Sequence, residues 1–364
     1  MYLALRDLRF AKGRFVLMGG VVALITLLLV LLSGLTAGLG NQSTSALAAL
    51  PADQIVFGAP AGDSAKASFT ESEVTRTQLA DWAAREGVAD AGLLGISQSR
   101  FQALGPAGSP SGTASVAVFG TEGSGLAPGP VAEGTVVVGA SLAKELKLQA
   151  GSRATVGGTE LTVSAVVPDQ WYSHTGVVWT TLADWRTLAH ITGKDAAATI
   201  IAVTSDGGQS LDVDAANAAA GTVSTTRDGS FQALSSYKSE NGSLLLMQAF
   251  LYGISALVIV AFLTVWTVQR TRDIAVLKAL GASSGYVLKD AMVQAAVVLL
   301  AGAVTGGAAG VAGGVLAATA APFLLTAETI LLPIAGIVVL GLAGAALAVR
   351  SITRVDPLLA LGGN

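Results

Sequence analysis

Long uncharged, apolar stretches lie towards both ends of the chain and enclose a segment of mixed composition. A transmembrane helix requires about 20 apolar residues, and in lipid only helices or closed barrels satisfy the backbone polar groups. Since the alternating pattern of barrel strands is absent, the stretches predict membrane helices. The uncharged stretches cover residues 15–52, 241–269, 291–327 and 329–349. The transmembrane helices that they predict span residues 15–40, 244–269, 287–319 and 329–349, with a turn at Pro322–Glu328 after the third.

The segment between the first and second predicted helices, residues 53–230, combines strand and helix patterns. Short β-branched runs bounded by glycine or proline predict strands, and Arg153–Val167 alternates as a hairpin does. Thr70–Glu86 predicts a helix that opens with the capping box Thr70–Glu73. The predicted fold class is an α-helical membrane protein with four transmembrane helices plus an α+β extracytoplasmic domain between helices 1 and 2.

The side of the membrane follows from the distribution of charge. Residues 41–243 carry 11 Lys and Arg against 19 Asp and Glu, whereas the remainder carries 10 against 5. Basic residues near membrane helices mark the cytoplasmic side, and here they cluster before helix 1, between helices 2 and 3, and after helix 4. Both termini are therefore expected in the cytoplasm of a bacterium, with the chain in its cytoplasmic membrane. The segments predicted are an amphipathic cytoplasmic helix at 1–14, stalks at 41–52 and 231–243, a cytoplasmic coupling helix at 270–286 and a cytoplasmic tail at 350–364.

The chain carries no motif of an enzyme or of an ATP site. The phosphate loop G-x-x-x-x-G-K-[ST] is absent from the sequence, and there is no cysteine. The uncharged stretches also lack the charged residues that mark ion or proton pathways in membranes. We therefore predict a transport subunit and not an enzyme, with no intrinsic cofactor and no nucleic-acid partner. Its energy is expected from ATP on a partner subunit.

The connection between helices 2 and 3 is short, basic and amphipathic. In RTRDIAVLKALG, residues 270–281, Ile274 and Leu277 lie on one side of a helix, and Gly281 suits a left-handed helix end. A stiff element of this kind between two membrane helices is what a cytoplasmic motor could push on. A positively charged connecting loop is the alternative interpretation.

This connection and the sequence after it, RTRDIAVLKALGASSGYVLKDAMVQAAVVLLAGAVTG, resemble the signature of ABC transporter permeases of the macrolide-exporter and cell-division (MacB/FtsX-like, type VII) superfamily. The ALRDLRFAKGRF and SITRVDPLLAL segments are similar to the ends of that superfamily. The resemblance implies a homodimer of this permease that binds two copies of a cytoplasmic ABC ATPase subunit and works by mechanotransmission. The ATPase-coupling residues that it implies are Asp273, Ile274, Leu277, Lys278 and Gly281, together with Leu5, Arg6 and Arg9.

Two further stretches resemble the heme-exporter branch of this superfamily. They are Trp171–His174 with the following VVW, and SYKSENGSLLLMQAFLYGISALVIVAFLTVWTVQR at the start of helix 2. Ser236 and Asn241 depart from the Gly and Gln of the branch. The resemblance implies heme as the transported ligand. A glycolipid or lipoprotein exporter, or a mechanotransmitting regulator of a cell-wall hydrolase, remains an open alternative.

The residues at the start of helix 2 are compatible with heme, whose iron takes ligands from protein side chains. Glu240 and Met247 are seven residues apart and so share a side of the helix. Either is a candidate iron ligand, because an oxygen or thioether ligand would release heme readily. The resemblance adds Tyr172, His174 and Tyr237 to the predicted heme contacts. Ordinary packing or solvation is the alternative for Glu240, Met247, Tyr172 and His174.

Glycines recur at four-residue intervals in two of the predicted membrane helices. Four residues advance about 400° along a helix, so the glycines stay on one side. Small residues at this spacing let membrane helices pack closely, which predicts close helix packing, with a moving interface as the alternative. The glycines are Gly302, Gly306, Gly310 and Gly314 in the third helix, and Gly34 and Gly38 in the first.

Overall fold

The structure is a computed structural model that describes residues 12–60, 62–105, 108–122, 125–191, 196–208, 210–269, 276 and 281–352. Its helices are α1 (Lys12–Ala48), α2 (Arg76–Ala83), α3 (Ala140–Leu146), α4 (Leu182–Leu188), α5 (Val213–Ala220), α6 (Ser235–Gln269), α7 (Ser284–Ala317) and α8 (Ala327–Ile352). Its strands are β1 (Gln54–Phe57), β2 (Val74–Thr75), β3 (Val88–Leu104), β4 (Pro110–Thr121), β5 (Thr135–Gly139), β6 (Arg153–Val156), β7 (Thr159–Val167), β8 (Trp171–Tyr172), β9 (Thr175–Thr181), β10 (Ala196–Ala198), β11 (Ile200–Ser205) and β12 (Val223–Thr226).

Among the described residues, four helices are long and apolar enough to cross a membrane. The spans are Phe15–Ala48 in α1, Ser235–Trp266 in α6, Leu288–Ala317 in α7 and Ala327–Ala348 in α8. The strands and short helices all lie between the first and second of these spans. The predicted fold class, four membrane helices with an α+β domain between the first two, is therefore confirmed. The chain divides into an α+β unit, residues 40–241, and a membrane unit formed by residues 1–39 and 242–364.

Within the membrane unit, α7 packs closely on α1 through its glycines. A methyl group added at Gly302 would come within 2.7 Å of the carbonyl oxygen of Gly19. One added at Gly306 would overlap the backbone of Ala23. Contacts this close between backbones are what small residues permit in membrane helices. The predicted helix packing is thus present at Gly302, Gly306 and Gly310, whereas Gly314 faces the ring of Phe323 in the connection between α7 and α8.

Gly34 and Gly38 of α1 have a different neighbour from the one predicted. Gly34 faces the ring of Phe323, and Gly38 lies against the backbone of Pro322, both in the connection between α7 and α8. The amide of Leu324 donates to the carbonyl oxygen of Gly34 at 3.0 Å. These two glycines make room for a chain connection and not for another helix, which corrects the prediction of helix packing at this end of α1.

The described strands of the α+β unit form one ten-stranded sheet and one two-stranded sheet. The large sheet has the order β12-β1-β11-β3-β4-β9-β5-β7-β6, with β8 paired to β9. The β4–β9 and β5–β7 pairs are parallel, and the other described pairs of this sheet are antiparallel. Because β6 pairs with both β7 and β3, part of the sheet forms a closed ring of six strands in the order β3-β4-β9-β5-β7-β6. The small sheet consists of β2 and β10.

Alternate residues of the central strands pack on opposite faces of the large sheet. In β4, Val116 and Val118 belong to one buried cluster, and Ala117 and Phe119 belong to another. This alternation is the period of two along a strand. The second cluster also contains Leu47 of α1, which is fully buried. The C-terminal part of α1 is therefore part of the core of the α+β unit.

The helix predicted at Thr70–Glu86 is shorter than expected, and its cap lies elsewhere. The hydroxyl of Thr75 accepts from the amide of Gln78 at 3.1 Å, and Oε1 of Gln78 accepts from the amide of Thr75 at 2.9 Å. This capping box begins α2. The capping box predicted at Thr70–Glu73 is wrong, because β2 pairs with β10 and takes residues that the longer helix would need.

Replacing Thr75 with Ala is expected to lower the free energy of unfolding by about 1 kcal/mol, because an amide of the first turn of α2 loses its acceptor. Thermal unfolding of the purified chain in detergent measures the change. Thr70→Ala is the matched control and should leave the unfolding temperature unchanged. A loss in Thr70→Ala as large as that in Thr75→Ala would contradict the position of the cap.

Candidate functional site

The candidate site is built around a tight hairpin turn, Ser173-His174, which joins β8 to β9. Tyr172 pairs with Thr175, so the loop has two residues. Ser173 has a φ of 49° and His174 a φ of 63°. Left-handed conformations at both central residues define a type I′ turn, which Asn-Gly usually fills. Such a conformation is unfavourable for other residues and is often retained at functional sites.

The C-terminal part of α1 holds this turn in place. The backbone amide of Ser173 donates to the carbonyl oxygen of Ser43, and that of His174 donates to the carbonyl oxygen of Gln42, both at 3.0 Å. A carbonyl oxygen has two lone pairs, so each can accept a hydrogen bond from the turn in addition to one within the helix. The two hydrogen bonds fix the backbone of His174 relative to this part of α1.

The fixed turn brings the imidazole of His174 to Glu240 of α6. Nε2 of His174 lies 2.8 Å from Oε2 of Glu240 and 3.1 Å from Oγ of Ser43. Because an ionised carboxylate only accepts hydrogen bonds, we assign the proton to Nε2, which donates to Glu240. The side chains of His174 and Glu240 are 31% and 42% exposed. An exposed pair of this kind contributes only about 0–1 kcal/mol to stability, so its significance lies in where it holds the carboxylate.

A second contact joins the turn to α6, and it can be tested by cross-linking. Oγ of Ser173 lies 3.3 Å from Oγ of Ser236, and the natural chain has no cysteine. The double variant Ser173→Cys, Ser236→Cys is expected to form a disulfide on mild oxidation, because the two hydroxyl oxygens are in contact and small side-chain rotations would bring sulfur atoms in their place to the bonding distance of about 2 Å. Thiol labelling should then fail until a reductant is added. Each single variant should label fully, and full labelling of the oxidised double variant would contradict the contact.

Tyr172, a predicted heme contact, lies in the aromatic core of the α+β unit. Its ring centroid is 5.4 Å from that of Phe119 and 5.9 Å from that of Phe69, in edge-to-face arrangements. Burial raises the pKa of Tyr172 well above its ordinary value, because the phenolate would lose its hydration. The side chain therefore anchors the hairpin that carries His174. Direct contact with a ligand would require it to leave this cluster.

Of the five predicted heme contacts, the structure brings His174 and Glu240 together. Tyr237 is partly buried, and its ring centroid is 6.1 Å from that of Phe231. Met247 belongs to the membrane unit, where it is half exposed. Ser43 is a member of the site that no sequence pattern predicts, since nothing marks a serine as the partner of a histidine 131 residues away. No group of three or more His, Asp or Glu that could hold a metal ion occurs within the described part of the chain.

Most of the predicted ATPase-coupling residues lie outside the described residues. Gly281 is described and has a φ of 95°, which glycine adopts without strain. Ser283 caps α7, because its Oγ accepts from the amide of Tyr286 at 3.2 Å. A left-handed glycine and a helix cap thus stand immediately before α7. The coupling residues outside the described part are Asp273, Ile274, Leu277, Lys278, Leu5, Arg6 and Arg9.

Within the membrane unit, a side-chain hydrogen bond joins α1 to α6. Nε2 of Gln248 donates to Oγ1 of Thr36 at 3.0 Å. Elsewhere α6 exposes large apolar side chains, among them Leu246, Phe250 and Leu257. In a membrane such a surface faces lipid or a partner helix. The hydrogen bond between Gln248 and Thr36 is therefore a specific polar contact on a helix whose surface is otherwise largely apolar and exposed.

Comparison with known proteins identifies the family. Residues 15–222 match the MacB-like periplasmic core domain, and residues 245–357 match the FtsX-like permease C-terminal domain. A protein of Staphylococcus epidermidis, whose name describes it as the hemin transport system permease protein HrtB, is 23% identical over 372 aligned positions that cover 100% of both chains. A protein with the same name from Staphylococcus haemolyticus is 31% identical over 130 residues, 36% of this chain and 37% of that one.

Among solved structures, the crystal structure of the periplasmic region of MacB from Actinobacillus actinomycetemcomitans covers 50% of this chain and 92% of its own, with a TM-score of 0.35 and 12% sequence identity. The two family matches and the four apolar helices of the described residues indicate a multi-pass inner-membrane protein that is the permease of an ABC transporter. The chain belongs to the MacB/FtsX-like superfamily of ABC transporter permeases.

Proposed function

We propose that this permease expels heme from the bacterial cytoplasmic membrane. The proposal depends on the position of one carboxylate. Glu240 is partly exposed near the start of α6, and a hydrogen bond from His174 holds its side chain. A carboxylate oxygen can bind the iron of heme and is a weaker ligand than the imidazole of resident heme sites, as suits a cargo that must be released. The relatives in two staphylococci are named for hemin transport, which supports the same substrate.

Glu240 has an oxygen that can accept a ligand without loss of its present bond. Oε2 accepts the hydrogen bond from His174, whereas Oε1 has no hydrogen-bond partner among the described residues. Iron bound at Oε1 would leave the His174 bond intact. Met247 is the second proposed iron ligand, and its half-exposed thioether is accessible in the membrane unit. Tyr237 is proposed as a further contact with the heme ring.

ATP hydrolysis is proposed to occur on two copies of a separate cytoplasmic ATPase subunit, bound by a homodimer of this permease. The match to the FtsX-like permease domain and the absence of a phosphate loop from the sequence support this division of labour. Segments 1–14 and 270–286 are the proposed ATPase contacts. Both termini would then lie in the cytoplasm, and the α+β unit would lie outside.

Heme is proposed to reach the site sideways from the outer leaflet, between α1 and α6. The bond between Gln248 and Thr36 joins these two helices within the membrane unit, so it must break when they separate. Polar bonds between membrane helices contribute about 1 kcal/mol, which makes this a small barrier. Closure of the dimer, driven by the ATPase, would then press the helices together and expel the heme outwards. The α+β units would move with them.

Heme tolerance of a deletion strain tests the proposal. A strain without this permease is expected to grow poorly on heme, and the chain expressed with its ATPase should restore growth. The same pair with an ATPase that cannot hydrolyse ATP is the control and should not restore it. Equal heme tolerance of the deletion and parent strains would contradict heme export. If the protein instead regulates a cell-wall hydrolase, an extracellular partner should co-purify with it by binding residues 53–230.

A further inference from the structure

His174 occupies a backbone position that favours a different residue. Its φ of 63° is one that glycine adopts at no cost, whereas a β-carbon makes it unfavourable. The turn itself would therefore be more stable with glycine at this position. Because the backbone amide is already bonded to Gln42, the turn does not need the imidazole to stay on α1. The contribution of the imidazole must lie in what its ring contacts.

The ring contacts two side-chain oxygens, and the nearer one belongs to a carboxylate. Nε2 lies 2.8 Å from Oε2 of Glu240, and Ser43 Oγ lies 3.1 Å from the same nitrogen. The donor is fixed by α1 and the hairpin, whereas the acceptor belongs to α6. A glutamate side chain has several rotatable bonds, and a single fixed donor at Oε2 limits the directions in which Oε1 can point.

We propose that His174 is a positioning residue, which holds Glu240 so that the carboxylate offers heme iron one oxygen, Oε1, and not two. The proposal rests on the proposed heme function of Glu240. Partners of metal ligands commonly fix the orientation of the ligand and tune its strength. A carboxylate that accepts a hydrogen bond at Oε2 binds iron through a single oxygen, and this makes the complex specific in geometry and easy to release.

The test replaces His174 by Gly, which removes the ring and relaxes the turn. The purified variant without heme is expected to unfold at the same or a higher temperature than the natural chain. Its heme affinity, measured by titration of the Soret absorbance, should fall by about 10-fold, as for other partners of metal ligands. The Soret maximum of its complex should also shift, because Glu240 is then free to bind through either oxygen or both. A loss of heme affinity without a loss of stability distinguishes positioning from a structural role.

A second variant separates positioning from direct ligation. His174→Gln retains an N–H donor at a similar reach and should restore the Soret maximum and most of the affinity. If the Gly variant binds heme as the natural chain does, or if Gln restores nothing, His174 does not act through Glu240 and the inference is wrong. If the natural chain itself gives no saturable Soret band, the proposed heme function fails instead, so the two failures are distinguishable.

Discussion

Glu240→Ala is expected to weaken heme binding by about 100-fold, equivalent to about 2.7 kcal/mol, and to abolish the rescue of heme tolerance. The variant removes the proposed iron ligand and leaves His174 without its acceptor. Loss of the ligand should therefore exceed the loss of about 10-fold expected for its partner. Titration of the purified chain with heme, followed by Soret absorbance, measures the affinity. The Soret band should be weaker and broader, because Met247 alone would remain as a proposed ligand.

Glu328→Ala is the matched control for this experiment. Glu328 is an exposed glutamate in the first turn of another membrane helix, α8, and the proposed site does not include it. Its removal should leave heme affinity and growth on heme unchanged. Glu240→Gln should behave like the alanine variant, since a neutral amide is a poor iron ligand. Undiminished heme affinity in both Glu240 variants would exclude this carboxylate as the ligand.

Gly306→Ala is expected to destabilise the membrane unit by about 1–3 kcal/mol, the usual cost of an overpacked contact. The added methyl group would overlap the backbone of Ala23 in α1, which cannot move aside as a side chain can. The two helices must therefore separate. This destabilisation is expected although alanine has the higher helix propensity, by about 1 kcal/mol over glycine. Thermal unfolding of the chain in detergent measures it as a lower midpoint temperature.

The matched control is Gly313→Ala on the same helix. A methyl group there would lie 3.5 Å from Cδ2 of Leu31, an ordinary contact with a flexible side chain. This variant should be as stable as the natural chain or more stable, because only the helix preference changes. An equal effect of the two substitutions would mean that α7 does not approach α1 at Gly306.

The elements that depend on local chemistry could be predicted from the sequence. The membrane helices follow from uncharged stretches, because the thickness of a bilayer sets their length. The hairpin within Arg153–Val167 is also present, with β6 and β7 joined by Gly157 and Gly158, which both have positive φ. In both cases a short stretch of sequence contains the whole physical cause.

The features that were missed depend on contacts between distant residues. Thr70 and Thr75 both begin a capping-box pattern, and only the pairing of β2 with β10 selects the second. The Ser173-His174 turn lacks the usual Asn-Gly, and bonds to α1 hold it in place. His174 and Glu240 were each predicted as heme contacts, but sequence alone could not show that they bond to each other. The ATPase-coupling role of Asp273 and its neighbours stays a prediction, because these residues lie outside the described part of the chain.

The central claim, that this permease moves heme with energy from ATP, is tested most directly in liposomes. The chain and its ATPase would be reconstituted in membranes that contain heme, with a heme-binding protein sealed inside and ATP added outside. The account predicts that ATP accelerates the arrival of heme on the enclosed protein, and that omitting the ATPase removes the acceleration. Heme transfer that is indifferent to ATP while the reconstituted ATPase is hydrolysing it would contradict the account.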